Sequence, residues 1–318
     1  MTTKVSSPIA GHIVIGPYPT RLSMIVQSIR HPGLSWLFIL PALAIYGMIM
    51  IYPMIAGAGY AFTNWNGLNR TIEFVGTRNF EKMLSDRQVA SSIRMSLVFA
   101  AALVVTKIGF GLLLALALDT NLRTRNFLRL LFFMPVVLTP VIVSYVWKYI
   151  FSNKGTLNSI GQSFGIDWLV QPWLGTPNLA AVAIIIVTAW QTVGLAMVIF
   201  LAGLQAIPKD TLEAATVDGA SRWQTLRHIT LPLLAPAITV NVALAMIQGM
   251  KFFDQVYVLT GGGPGYATET LSTTIYKTTF LYGEFGYGAA IALVFSIIVA
   301  AVVFTTTVLL RRRELNYE

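Results

Sequence analysis

No cysteine occurs in the 318 residues, and only 13 residues are acidic and 3 are histidine. Lack of cysteine excludes disulfide frameworks, thiolate metal sites and cysteine nucleophiles. His12, His31 and His228 are scattered, without the spacing of a metal site. Charge of either sign is scarce, at 11% of residues, against roughly 25% in a soluble domain. So little charge cannot cover a water-soluble surface, which excludes an ordinary soluble enzyme. With 55% hydrophobic residues and a mean hydropathy of +0.69, a disordered chain is equally excluded. There is no G-x-x-x-x-G-K-[ST] stretch, and Gly261-Gly262-Gly263-Pro264-Gly265 has no lysine to reach a phosphate. No internal repeat or low-complexity tract is visible.

What the sequence does contain is long apolar runs, the mark of an all-α polytopic membrane protein. A span needs about 20 mostly apolar residues. Six stretches qualify: 34–60, 92–118, 128–151, 180–204, 235–258 and 288–310. Residues 1–33 read as a polar tail without a signal-peptide cleavage pattern, and 311–318 as a second tail. The net charge of +9 would suggest nucleic acid in a soluble protein; here the position of the charges matters more than their sum. With the N-terminus inside, the inner segments hold Lys4, Arg21, Arg30, Arg123, Arg125, Arg129, Lys209, Arg222, Arg227 and Arg311, Arg312, Arg313. The outer segments hold Arg70, Arg78, Lys82, Arg87, Lys154 and Lys277, half as many. The bias puts both termini in the cytoplasm.

The inner loop 205–234 is long and reads as helical. Asp210 and Glu213 fit a capping box for a helix starting after Pro208, and Gly219 fits a left-handed stop. Ser221 can cap a second short helix through Trp223, Leu226 and Ile229, ending at Leu231-Pro232. The small Ala214 and Ala215 would let another protein approach closely. From the residues alone, an interfacial linker lying on lipid headgroups is an equal reading.

Glu213-Ala214-Ala215, then Gly219, Ile229 and Leu231-Pro232, resembles the EAA loop of ATP-binding-cassette importer permeases. Phe74-Val75-Gly76-Thr77-Arg78-Asn79-Phe80, the stretch from Leu201 to Pro208 and the stretch from Phe253 to Gly265 resemble segments of carbohydrate-importer permeases, the first of two in maltose- or glycerol-3-phosphate-type systems. The resemblance covers about residues 34–310. It implies a type I ABC importer permease-like fold of six transmembrane helices in the bacterial inner membrane. It also implies a second homologous permease, a dimer of ATPase subunits that binds ATP and Mg, and a periplasmic or lipid-anchored solute-binding protein. This chain itself would hold no cofactor, would hydrolyse no ATP and would meet membrane lipid but no nucleic acid. Asp210, Glu213, Ala214, Ala215, Asp218, Gly219 and Arg222 would couple to the ATPases, with Glu213 anchoring and Gly219 allowing the turn.

Polar residues in the spans are candidates for the substrate pathway. Lys107 sits mid-span with no acid within one turn, and Lys251 and Asp254 stand three apart, able to pair on one helix face. Arg94 and Lys148 lie near outer ends, where snorkelling accounts for them. Tyr145, Asn241, Gln248, Phe252 and Tyr257, with Trp190-Gln191-Thr192, offer aromatic faces and hydrogen bonds to a sugar. The competing readings are an interfacial aromatic belt, favoured for Trp147 and Tyr149, and interhelical hydrogen bonds for the glutamines. An ion-coupled secondary carrier is the alternative function, but it calls for inverted repeats and mid-membrane carboxylates. The single acid inside a span is Asp254, toward an outer end. A membrane-embedded enzyme would need a clustered His, Asp or Glu constellation, and none is present. Oligosaccharides, glycosides, polyols and glycerol-3-phosphate-type solutes fit, and Lys107 and Lys251 leave anionic solutes open.

Overall fold

The computed structural model describes residues 32–120 and 122–314. Most of the expected N-terminal tail and the last four residues lie outside them. The described residues are helical, with one isolated bridge between Thr63 and Phe74. The chain divides into two units, Met1–Ala56 and Gly57–Glu318.

Pro32–Tyr46 forms α1, which continues through a widened turn, Gly47–Ile51, into α2 (Tyr52–Tyr60), whose last four residues belong to the second unit. That turn ends two residues before Pro53, and the Tyr52 N–H bonds five residues back to Gly47 O. Proline cannot donate an N–H, and the extra residue in the turn accommodates it without breaking the helix.

In the second unit α3 (Arg78–Ser85) precedes the 32-residue α4 (Arg87–Leu118). Asp86 caps α4 by accepting from the Gln88 and Val89 N–H groups at 2.8 and 3.3 Å. The expected 128–151 span is two helices, α5 (Arg125–Val137) and α6 (Pro140–Ile150), bent by 99°. Leu138 and Thr139 between them are extended, and Thr139 precedes a proline, which disfavours helical backbone. A short α7 (Thr156–Phe164) leads to α8 (Pro177–Ala206), which ends where Ile207 turns extended before Pro208.

After α9 (Lys209–Val217), α10 (Arg222–Leu233) meets α11 (Ala235–Met250) at 66°. The stop expected at Leu231-Pro232 falls at Leu233, one residue on. Residues 226–230 widen into the same kind of turn, Leu231 N–H reaching Leu226 O, which carries the helix one residue past Pro232 before the bend at Leu234. The expected 235–258 span is also interrupted: α11 ends at Met250, and α12 (Asp254–Leu259) restarts after three non-helical residues. Lys251 and Asp254 thus do not share a helix face, and no ion pair joins them. A short α13 (Leu271–Tyr276) precedes α14 (Phe285–Glu314).

Among the described residues four helices are long and apolar enough to cross a membrane, and up to six crossings result if each bent pair is one span. The centre of the second unit is α4, packed against α8 on one side and α11 on the other. Small residues permit this. A methyl group on Gly111 would stand 2.7 Å from Ala196 Cβ, and one on Gly249 would strike the Ala100 backbone. Without a hydrophobic drive between helices in lipid, such close approach supplies the packing energy.

Candidate functional site

The 205–234 loop is built on the ends of α4, α8 and α11. Leu204 and Ile207 are buried with Ala115, Leu118, Phe200 and Leu234, and Leu212 of α9 packs on that cluster. Ala215 is buried too, at 5% exposure, so it faces the body and not a partner. Only Ala214 of the expected small pair is exposed. The capping box expected at Asp210 and Glu213 does not form: Pro208 stands at the N-cap, and Asp210 lies inside the first turn. There its charge still favours the helix dipole. The box forms at the next helix, where the Gln224 N–H donates to Ser221 Oγ and the Ser221 N–H donates to Gln224 Oε1 at 2.7 Å.

Gly219 adopts φ +76°. The Ala220 N–H reaches back to Ala215 O at 3.0 Å and the Gly219 N–H to Thr216 O at 3.1 Å, a Schellman stop on α9. Asp210, Glu213, Asp218 and Arg222 stand exposed, and none makes an ion pair among the described residues. Val217 and Trp223 beside them are 87% and 65% exposed. A recess of about 360 Å³ opens between the two helices, lined by Asp218, Gly219, Gln224 and His228. The loop therefore combines a packed inner face with an outer face of free charges and bare apolar side chains.

The polar residues of the spans are arranged the other way. Gln191 is buried and donates to Leu138 O at 2.9 Å, satisfying a carbonyl that the 99° bend leaves free. Its own Oε1 accepts from Gln255 at 3.2 Å. Thr192 donates to Thr188 O at 2.7 Å and Asn241 to Ala196 O at 3.4 Å. Lys107 is 1% exposed and donates to Gln248 Oε1 at 3.1 Å. Phe252 is buried edge-on against Phe99 at 5.4 Å. Of the pathway candidates Tyr145, Trp190, Lys251 and Tyr257 are exposed, with Asp254 and Gln248 intermediate. Arg94 is exposed, and Lys148 donates to Val258 O at 2.8 Å. Trp147 packs edge-on against Trp190 at 5.6 Å, while Tyr149 is open.

Sequence reasoning missed the fasteners at the far end of α4. Glu269 is 1% exposed; Lys277 lies 2.9 Å from its Oε1, and Gln88 donates to its Oε2 at 2.9 Å. Lys277 also donates to Gly261 O, pinning the glycine turn. Tyr287 O–H donates to Asp86 Oδ2 at 2.7 Å, tying α14 to the cap of α4. The outer loops hold six acids, Glu73, Glu81, Asp86, Asp167, Glu269 and Glu284, to match their six lysines and arginines, which was the available signal for these pairs but names no partners.

Residues 107–314 match the family described as binding-protein-dependent transport system inner membrane component. The chain is 36% identical, over 92% of its length and all of the relative's, to the multiple sugar-binding transport system permease protein MsmF of Streptococcus mutans. It is also 36% identical to the probable starch degradation products transport system permease protein AmyD of Thermoanaerobacterium thermosulfurigenes, over 88% of this chain and 95% of that one. The fold is shared, at a TM-score of 0.78 and 22% identity over 91% of this chain and 97% of the other, with a bacterial alginate ABC transporter solved in complex with an alginate pentasaccharide-bound periplasmic protein. The chain belongs to this family and is a multi-pass permease component of an ABC importer in the inner membrane. The ion-coupled carrier is left without support.

Proposed function

We propose that this permease pairs with a homologous second permease to form the pathway for a carbohydrate, and that its 205–234 loop docks on a dimer of ATPase subunits. The solute class is an oligosaccharide, glycoside, polyol or glycerol-3-phosphate-type compound, in keeping with the sugar-transport names of its relatives. A solute-binding protein delivers it on the outer side, and both termini lie in the cytoplasm, where the twofold excess of lysine and arginine places them.

The observation that carries this reading is the two-faced construction of α9. On its inner face Ala215 is buried and Leu212 rests on a cluster that includes residues of α8 and Leu234, immediately before α11. A push on α9 is therefore delivered to the ends of two spans at once. Its outer face leaves Val217 bare beside the free carboxylates of Asp210 and Glu213, an apolar contact with a polar rim. Closure of the ATPases on ATP would favour one of two arrangements of the spans through contacts made at this loop alone. The ATPases would hold the ATP and Mg; this chain contributes no phosphate-cradling loop to them.

In the spans, most polar groups are bonded within the chain, so the pathway holds its solute weakly and the binding protein carries the selectivity. The test is purification of the tagged permease in mild detergent, with co-purifying chains identified by mass spectrometry and hydrolysis measured with loaded binding protein. Recovery of a second permease and an ATPase, stimulated by that protein, is expected. Recovery of this chain alone, without ATPase activity, overturns the proposal.

A further inference from the structure

The seam between α11 and α14 carries two openings in line. One, of about 260 Å³, lies where both helices meet the end of α10 and is lined by Arg227, Leu231, Pro232, Ala235, Ile238 and Leu310. The other, of about 510 Å³, lies deeper along the same two helices. Ile247 of α11, Lys251 just after it, and Val299, Val303 and Thr307 of α14 line it. Val299, Val303, Thr307 and Leu310 stand four, four and three apart, so one stripe of α14 serves both openings. Ile238 and Ile247 are about 14 Å apart by helix rise. Between Arg227 at one end and Lys251 at the other, the lining is apolar apart from Thr239 and Thr307. The seam is a greasy groove with a basic mouth.

No acid in the walls relieves that charge. Leu310 is followed at once by Arg311 and Arg312, which are exposed, as is Arg227. None of the three guanidiniums makes a hydrogen bond, ion pair or ring contact among the described residues. There is no acid from Arg222 to Phe253 or from Phe285 to Arg313, and Glu314 is the first to follow. Asp218, the last acid before α10, lines a different recess, with Gln224 and His228. The level of the mouth matters as much as its charge. α14 runs uncharged from Phe285 to Leu310 and turns basic immediately after, which marks the height where hydrocarbon gives way to headgroups. Along the groove the surface is open, with Phe304 71% exposed. A water-soluble partner reaches the mouth but not the groove. A phospholipid reaches both, with a phosphate for the guanidinium forks and an acyl chain for the aliphatic wall.

We propose that this seam is a binding site for an anionic phospholipid of the leaflet facing the termini. Its phosphate is held at Arg227, with Arg311 and Arg312 beside it, and one acyl chain lies in the groove toward Val303. The site depends on the chain's place in the membrane and not on its coupling to ATPases, so its failure would leave the proposed function standing.

The experiment titrates the purified permease complex in detergent with dioleoyl phosphatidylglycerol or dioleoyl phosphatidylcholine and counts bound lipid by native mass spectrometry. One phosphatidylglycerol should be retained at concentrations where phosphatidylcholine dissociates. Arg227→Gln should raise its half-saturating concentration about fivefold and narrow the gap between the two lipids, and Arg227→Lys should keep part of that gap. Val303→Trp fills the groove without touching the charges and should also release the lipid, which a bare headgroup patch would not show. Inorganic phosphate at millimolar concentration should leave the lipid in place. Displacement by phosphate overturns the proposal, because the mouth would then be an anion site without a lipid. Equal binding of the two lipids by the wild type, or phosphatidylglycerol binding unmoved by Arg227→Gln, overturns it as well. So does a wild-type complex that retains no lipid, since the second permease would then cover the groove.

Discussion

In the 205–234 loop, Asp210, Glu213, Asp218 and Arg222 stand exposed without an ion pair, whereas in the spans Gln191, Asn241, Gln248 and Lys107 are each bonded to a neighbouring helix or to the bend between two. Solvent explains the difference. Inside the bilayer no water replaces a missing partner, so a polar group must be satisfied within the chain or by another one at once. A loop in water can keep its groups free until a partner arrives. Unpaired polar groups therefore mark the surfaces this chain gives to others, and paired ones mark the scaffold.

That contrast breaks most severely if loop variants behave as scaffold variants. Glu213→Ala and Gly219→Val should each reduce solute uptake on the order of tenfold or more, with the permease at its normal level in the membrane. For Gly219 the reason is conformational. At φ +76° a side chain costs roughly 1–2 kcal/mol, and no atom lies within 4 Å of where the Cβ would stand, so the strain stays local to the stop of α9. Immunoblotted membranes with wild-type uptake would remove the loop from the coupling path.

A smaller effect separates the two partners of the buried Lys107–Gln248 pair. Gln248→Leu leaves the ammonium without its hydrogen bond and should lower the stability of the purified complex by about 1–3 kcal/mol. Lys107→Met removes the charge altogether and should cost less, because an apolar side chain of similar length needs no partner. The double variant should be more stable than Gln248→Leu alone. Thermal unfolding of the detergent-solubilised complex ranks the three. If Lys107→Met instead keeps stability and abolishes uptake of an anionic solute, the lysine belongs to the pathway and the contrast fails at that position.

Much of this was legible in the chain itself, for reasons that differ by region. Apolar runs of about 20 residues marked the long helices because the bilayer sets their length, but they did not show that two of the runs break. The left-handed stop at Gly219 was legible because one residue type tolerates it. The capping box at Asp210 and Glu213 was misread because Pro208 already occupies the N-cap, which shifts Asp210 into the first turn. The bend at Leu138-Thr139 was hidden in a continuous apolar stretch, and its signal was Pro140 acting on the residue before it. The end of α10 at Leu233 was legible from Leu231-Pro232, but the widened turn at 226–230 leaves no mark in composition. Least legible were the partners of the buried groups. Gln191 with Leu138, Lys107 with Gln248, and Glu269 with Lys277 are all tertiary facts, and the spacing of residues within one helix carries no information about the helix beside it.

The mildest effect concerns the capping box that does form. Ser221→Ala removes the acceptor of the Gln224 N–H and should destabilise the start of α10 by about 1 kcal/mol, fraying Arg222–Thr225 without unfolding the spans. Gln224→Ala removes the reciprocal bond at 2.7 Å and should act alike. Because both side chains serve one box, the double variant should add less than the sum of the two. Hydrogen–deuterium exchange of peptides covering 219–230 reads this directly: faster exchange in both single variants is expected, with the spans unchanged. Because Trp223 and Arg222 sit on that first turn, the fraying should also reduce, by a few-fold at most, the hydrolysis stimulated by solute. Unaltered exchange in Ser221→Ala would mean that packing of residues 226–230 against the body holds the second helix, and the free face of the loop would then be fixed from behind and not by its own cap.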